Sequence, residues 1–240
     1  MENEKTALVT GASGGIGAAV AVALAGEVGR LVLSGRDAGR LEEVAGRVRE
    51  RGAAEVEVFA ADLADEAALR ALSWRAGEHL GGLDVLVHSI GLFRGGTPSA
   101  APAADLDDHL RVNLRVPYLL TQLLLPWLLP RQGQIVFVNS SAGFHPARSH
   151  FAAYAASKHA LRAYADALRE EVNKQGVRVL TVYPGRTAST MQQEVHRYEG
   201  RDYDPARFLQ PDDVASAVLS ALNLPRTAEL TDLHIRPMRG

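Results

Sequence analysis

Short runs of aliphatic and β-branched residues recur along this chain, each followed by a longer segment in which alanine, leucine and arginine return at helical spacing. Strands joined by helix-length crossovers lie parallel, because the intervening helix carries the chain back to the starting edge of the sheet and covers one of its faces. The pattern predicts strands near residues 6–10, 30–34, 56–60, 85–88, 135–139, 177–182 and 229–235, with helices in the intervals. The expected fold class is α/β: a doubly wound sandwich with a central parallel sheet of about seven strands flanked by helices.

A sheet of that size accounts for all 240 residues as one domain, and 47% hydrophobic residues supply its core. No repeat, low-complexity tract or linker-like stretch divides the chain. Twenty-six basic against 28 acidic residues leave a formal charge of −2, so no positive field exists to hold a nucleic acid or an anionic membrane, and a small-molecule partner is expected. There is no cysteine, which excludes disulfides, thiol catalysis and thiolate metal sites, and no His/Asp/Glu grouping has metal-site spacing. The most apolar run, residues 119–129, is interrupted by Gln122 and Pro126 and falls short of the roughly 20 residues that a spanning helix needs. Charged residues lead directly into the first strand without a secretory pattern, so a cytoplasmic location is expected.

Thr10-Gly11-Ala12-Ser13-Gly14-Gly15-Ile16-Gly17 stands between the first strand and the first helix. Glycines there let backbone amides approach an anion, and the orphan N–H groups and dipole of the following helix favour negative charge. The turn predicts a pyrophosphate site at Gly11, Ser13, Gly15, Ile16 and Gly17 that needs no basic side chain. Glycine-rich turns also serve plain chain reversal, and it is the position at the first βα junction that favours the binding reading. The spacing Thr-Gly-x-x-x-Gly-x-Gly differs from the Gly-x-Gly-x-x-Gly fingerprint and resembles that of the classical short-chain dehydrogenase/reductase family, a Rossmann-type fold. The resemblance extends over nearly the whole chain.

Tyr154-Ala155-Ala156-Ser157-Lys158 resembles the family's Tyr-x-x-x-Lys element. It lies in the strongest helical stretch, residues 152–174, where side chains four apart share a face at about 6 Å. Six tyrosines and three lysines (Lys5, Lys158, Lys174) would produce roughly 0.08 such pairs by accident. A phenol working as a base near neutrality needs about 4 kcal/mol of help, which one cation about 4 Å away supplies at an effective dielectric of about 20. The resemblance makes Tyr154 the proton-transferring residue and Lys158 the group that tunes it. It makes Ser141, thirteen residues before Tyr154 at a strand end, the hydroxyl that polarises the substrate oxygen, with Ser140 set aside on spacing. Asn113 resembles the asparagine that holds the lysine through water, although on its own chemistry it reads as a solvated helical position.

After the second strand the chain reads Leu33-Ser34-Gly35-Arg36-Asp37, and Gly35 stands where NAD-preferring relatives carry an acid. Arg36 offers a fork suited to a 2′-phosphate, so NADP(H) is the expected cofactor, with NAD(H) the alternative. Gly14 stands where many NADP-using relatives carry a basic residue, and Asp37 reads as a helix cap. By resemblance, Asp62 contacts the adenine, its other reading being a helix cap, Leu63 binds the cofactor beside it, Ser89 and Gly91 flank the cofactor in a His88-Ser89-Ile90-Gly91 variant of Asn-Asn-Ala-Gly, and Pro184, Gly185, Thr187 and Ser189 lie beside the nicotinamide. His88, at a buried strand end, reads as a hydrogen-bonded structural residue.

The resemblance implies hydride transfer between NADP(H) and a carbonyl or secondary alcohol. The rivals are a non-catalytic dinucleotide sensor or scaffold on the same fold, and an epimerase or dehydratase, for which the C-terminal part offers little substrate-binding sequence. Leu92, Phe93, Phe144, His145 and a polar segment at 186–210 that reads as a mobile lid are expected to shape the substrate pocket. Family resemblance and apolar helices after Asn113 and around Tyr164 imply a homodimer or homotetramer.

Overall fold

The computed structural model of the protein describes residues 5–53, 55–145 and 149–238. Seven strands, β1 (Thr6–Thr10), β2 (Arg30–Gly35), β3 (Glu55–Ala60), β4 (Val85–His88), β5 (Gln134–Val138), β6 (Arg178–Pro184) and β7 (Asp232–Ile235), pair in parallel in the order β3-β2-β1-β4-β5-β6-β7. The helices are α1 (Gly15–Leu24), α2 (Ala38–Glu50), α3 (Glu66–Leu80), α4 (Ala103–Leu110), α5 (Val116–Leu128), α6 (Ala152–Val172), α7 (Thr190–Glu199) and α8 (Pro211–Leu222). No helix among the described residues is long and apolar enough to cross a membrane.

Alternation along the strands distributes their side chains between two apolar layers. Ala7 and Val9 of β1 face α1, α2 and α8, while Leu8 faces α3, α5 and α6. Leu120, Leu124 and Leu128 of α5 repeat at four-residue spacing and are fully buried, each contributing about 2 kcal/mol of hydrophobic stabilisation. The strand order reverses between β1 and β4, and an open α/β sheet leaves its binding crevice outside the strand ends at such a reversal.

Two tethers shape the C-terminal part. Arg178 of β6 donates to the carbonyls of Leu222, Leu224, Pro225 and Ala228, which caps α8 and fixes the chain that follows it. The last strand begins at Asp232 rather than near residue 229, because the Glu229 carboxylate, not a backbone carbonyl, accepts the Val179 N–H at 2.8 Å.

Close backbone approach explains the glycine at position 17. A Cβ there would stand 2.3 Å from the Gly11 carbonyl oxygen, whereas a Cβ on Gly46, inside α2, would meet nothing within 4 Å. In urea unfolding, Gly17→Ala is expected to destabilise the protein by about 2 kcal/mol or more through overpacking. Gly46→Ala is expected to stabilise it by about 0.5–1 kcal/mol by improving helix propensity.

Candidate active site

The carboxyl ends of β1, β4, β5 and β6 border a cleft of about 970 Å³. Gly11 (φ +68°) and Gly15 (φ +53°) adopt left-handed backbone that L side chains resist, and a Cβ on Gly11 would lie 2.5 Å from the Ser89 carbonyl oxygen. The turn therefore folds tightly against the end of β4. Gly14, Gly15 and Ile16 line the cleft where α1 begins, and no side chain caps that helix end, so its donors and its positive dipole end serve the cleft.

At the end of β2, a Cβ on Gly35 would stand 3.1 Å from the Ser13 hydroxyl, which fills the space an acidic side chain would need. Arg36 and Arg40 line this end of the cleft. Asp37 is turned away as the cap of α2, its Oδ1 accepting from the Arg40 amide at 3.1 Å, in agreement with its reading as a cap. Ala61 and Leu63 line the cleft but Asp62 does not: its exposed carboxylate accepts from the Ala64 amide at 3.0 Å in a local turn. Asp65, and not Asp62, is the residue that caps α3. Ser13, Ser89, Gly91, Pro184, Gly185, Thr187 and Ser189 all line the cleft, while Gly17 supports it from behind by packing on Gly11.

Tyr154 and Lys158 share the buried face of α6 and reach the cleft floor, with the Lys158 ammonium 5.9 Å from the phenol ring centre. Lys158 Nζ donates to the Val138 carbonyl at 3.3 Å, at the end of β5. Burial lowers the Lys158 pKa to about 8 and raises that of Tyr154, the latter rise opposed by a side-chain hydrogen bond with Ser140. The Lys158 ammonium beside the ring favours the phenolate, against the burial that disfavours it.

The two serines separate here. Ser140, at the cap of a 3₁₀ turn (Ser141–Gly143), accepts from the Ala142 amide at 3.1 Å and hydrogen-bonds Tyr154. Ser141 is already inside that turn; it also lines the cleft, and its carbonyl accepts from the Phe144 and His145 amides. Both serines therefore border the cleft at the phenol, Ser140 beside it and Ser141 on the lining thirteen residues before Tyr154.

Asn113 is not a solvated helical position. It is buried in a single π-helical turn (Arg111–Arg115) between α4 and α5. Its Oδ1 accepts from the Leu92 amide at 2.7 Å, and its Nδ2 donates to the Leu92 carbonyl and to Ser157 Oγ, both at 3.0 Å. Ser157 Oγ donates in turn to the Tyr154 carbonyl at 2.7 Å. Around Gly91, a Cβ would stand 3.8 Å from Asn113 Oδ1 and 4.0 Å from Lys158 Nζ, so all three groups converge. Ser157, and Asn139, whose Nδ2 donates to the Lys158 carbonyl at 3.0 Å, are supporting residues that sequence reasoning missed. Both lie inside the motifs that mark the site, but nothing in their spacing signals the role.

His88 behaves as expected of a structural residue. Its Nε2 lies 2.9 Å from Thr121 Oγ1, its ring stacks on Phe137 at 5.0 Å, and burial lowers its pKa to about 3, so it stays uncharged.

The segment 186–210 contains α7. Its base is closed by bonds from the Ala188 amide to the Leu209 carbonyl and from the Leu209 amide to the Arg186 carbonyl, at 2.8 and 3.1 Å. Ser189 caps α7, its Oγ accepting from the Gln192 amide at 3.2 Å, and Met191 lies against Gly91.

The strand order, the glycine cradle and the buried tyrosine–lysine pair define a dehydrogenase scaffold of the Rossmann type. The family model for short chain dehydrogenases matches residues 5–200, and the chain belongs to that family of oxidoreductases. It is 31% identical over 236 residues, 98% of each protein, to an uncharacterized oxidoreductase of Staphylococcus saprophyticus. Among solved structures it is similar to an alcohol dehydrogenase from the archaeon Thermococcus sibiricus complexed with 5-hydroxy-NADP, with TM-score 0.87 and 26% identity over 98% of this chain and 97% of that one. A metagenomic short-chain oxidoreductase in complex with NADP gives TM-score 0.83 and 30% identity over 100% and 99% of the two chains.

Burial of Lys158 has a consequence for stability. Its folded pKa of about 8 lies below its ordinary 10.5, so between those values the unfolded chain holds a proton that the native protein lacks. Stability should rise with pH across that window by at most about 3 kcal/mol, the penalty being fully present below pH 8 and gone above 10.5. Chemical denaturation of wild type and Lys158→Met between pH 7 and 10.5 is expected to show this rise in the wild type and not in the variant.

Proposed function

We propose that the chain transfers a hydride between NADP(H) and a carbonyl or secondary alcohol, with Tyr154 moving the proton. The observation that carries this reading is the buried ammonium of Lys158, 5.9 Å from the Tyr154 ring at the floor of a glycine-cradled cleft. When bound, NADPH supplies the hydride from its nicotinamide. The left-handed Gly11 and Gly15 and the uncapped start of α1 fit its pyrophosphate, and Arg36 with Arg40, beside a Gly35 position filled by Ser13, fit a 2′-phosphate. The solved neighbours complexed with 5-hydroxy-NADP and with NADP support the same choice.

Tyr154 donates the proton to the substrate oxygen on reduction and removes it on oxidation. Lys158 stabilises the phenolate, Ser140 hydrogen-bonds the phenol oxygen, and Ser141, on the cleft lining, donates to the substrate oxygen as it gains charge. Asn113 positions the site by tying the β4 loop at Leu92 to α6 through Ser157. A non-catalytic sensor would bind dinucleotide without needing a desolvated cation beneath a phenol, and burying that cation is costly.

Tyr154→Phe is expected to lower kcat by at least about 10³-fold while leaving NADPH affinity within about twofold, as measured by turnover and by fluorescence titration. Ser141→Ala should lower kcat by about 10²-fold and Ser140→Ala by less than about tenfold. The reverse order would give the polarising role to Ser140.

Arg36→Ala is expected to raise the KM for NADPH by about tenfold or more, with the KM for NADH within about twofold. Steady-state kinetics with both dinucleotides checks this, and equal changes would remove Arg36 from 2′-phosphate recognition.

A further inference from the structure

Beyond Tyr154 the cleft changes character. Phe93 stands edge-on to Tyr154 with ring centres 5.4 Å apart, to Phe151 at 5.2 Å and to Tyr198 of α7 at 6.5 Å. Tyr198 is seated over Gly95, where a Cβ would lie 2.5 Å from its ring. Leu92, Met191 and Val195 continue the apolar lining. Edge-to-face contacts of this geometry reward a further aromatic ring.

The charge on this side is already spent. Arg186 lines the cleft, but its Nη2 donates to both carboxylate oxygens of Glu199 at 2.7 and 2.8 Å, and its Nη1 lies 3.2 Å from His196 Nε2. Burial alone would raise the Glu199 pKa, but the hydrogen bonds and charge of Arg186, together with the charge of Arg201 3.8 Å away, outweigh it and hold the carboxyl below the usual range. One guanidinium nitrogen thus meets both carboxylate oxygens, and the Glu199 side chain is only 7% exposed. The other described cations lining the cleft are Arg36 and Arg40 at its far end and Lys158 beneath the phenol, while Glu194 adds a negative charge to the lining.

We infer that the substrates are uncharged aryl ketones or aldehydes and the corresponding alcohols, and that Glu199, by engaging Arg186, is the specificity-determining residue that turns carboxylated analogues away. This rests on the oxidoreductase reading of the same cleft. In the reduction, a hydride from NADPH adds to the carbonyl carbon and a proton to its oxygen, leaving the alcohol and NADP⁺. A substrate carboxylate entering this wall gives up its hydration without gaining a cation, which is strongly unfavourable. An uncharged ring loses only apolar hydration and gains the Phe93 and Phe151 edges.

The test pairs acetophenone with 4-acetylbenzoate. Binding is read by calorimetry on the wild-type protein loaded with NADP⁺, which cannot reduce a ketone, and kcat/KM is then measured with NADPH. Acetophenone is expected to be preferred by at least about tenfold in both measurements. Glu199→Gln is expected to narrow the preference to about threefold or less by releasing Arg186 toward the carboxylate. Should that variant fail to fold, Phe151→Leu is expected to weaken acetophenone by about fivefold and cyclohexyl methyl ketone by less than about twofold. Equal or tighter binding of 4-acetylbenzoate, equal losses in Phe151→Leu, or binding of neither ketone overturns the inference. Selective binding without turnover of either ketone would sustain the pocket's selectivity and overturn the oxidoreductase reading. Turnover without selectivity would do the opposite.

Discussion

The ammonium of Lys158 is buried, and a charge removed from water must be surrounded by groups that do not move. The chain meets that requirement by joining elements that are distant in sequence. Lys158 Nζ donates to the Val138 carbonyl at the end of β5, and the Lys158 carbonyl accepts from Asn139 one residue further along. Ser157 receives a hydrogen bond from Asn113, which clamps Leu92 after β4. Each bond is ordinary in strength, but together they fix α6 against two strand ends and leave the phenol of Tyr154 a narrow range of positions.

Backbone does the corresponding work at the other end of the cleft. Gly11 lies so close to Ser89, and Gly17 to Gly11, that a Cβ at either glycine would overlap a carbonyl oxygen. The β1 turn, the end of β4 and the first turn of α1 consequently form one packed corner. Donors for an anion there are main-chain groups, whose directions are set by this corner rather than by rotamers, so they lose little entropy on binding.

Features that depend on local pattern were readable before any coordinates. The strands, the glycine turn, the helical register of Tyr154 with Lys158, the Asp37 cap and the structural role of His88 each follow from a few neighbouring residues. Features that depend on how the chain closes in space were not. Counting thirteen residues back from Tyr154 selects Ser141 but gives no sign that Ser140, at the cap of the 3₁₀ turn, also comes to the phenol. Asn113 is placed at the site by resemblance alone, because nothing local announces the π-helical turn that buries it. The Asx turn in which Asp62 accepts from the Ala64 amide is likewise invisible in the motif.

The segment 186–210 shows the same division between local and spatial information. Its polar composition, read alone, resembles a loose loop. Yet Arg186 and Glu199, thirteen residues apart, close on each other, and His196, Tyr203 and Phe208 form a small aromatic core with ring centres 5.0 to 5.7 Å apart. With the two backbone bonds at its base, this makes a self-contained unit, and residues stapled to one another in this way cannot loosen one at a time. Any opening over the cleft must then break the contacts between this unit and the rest of the chain, Met191 on Gly91 and Tyr198 on Gly95 among them. Both contacts lie beside the aromatic wall, so the groups that would admit a substrate are the ones that would recognise it.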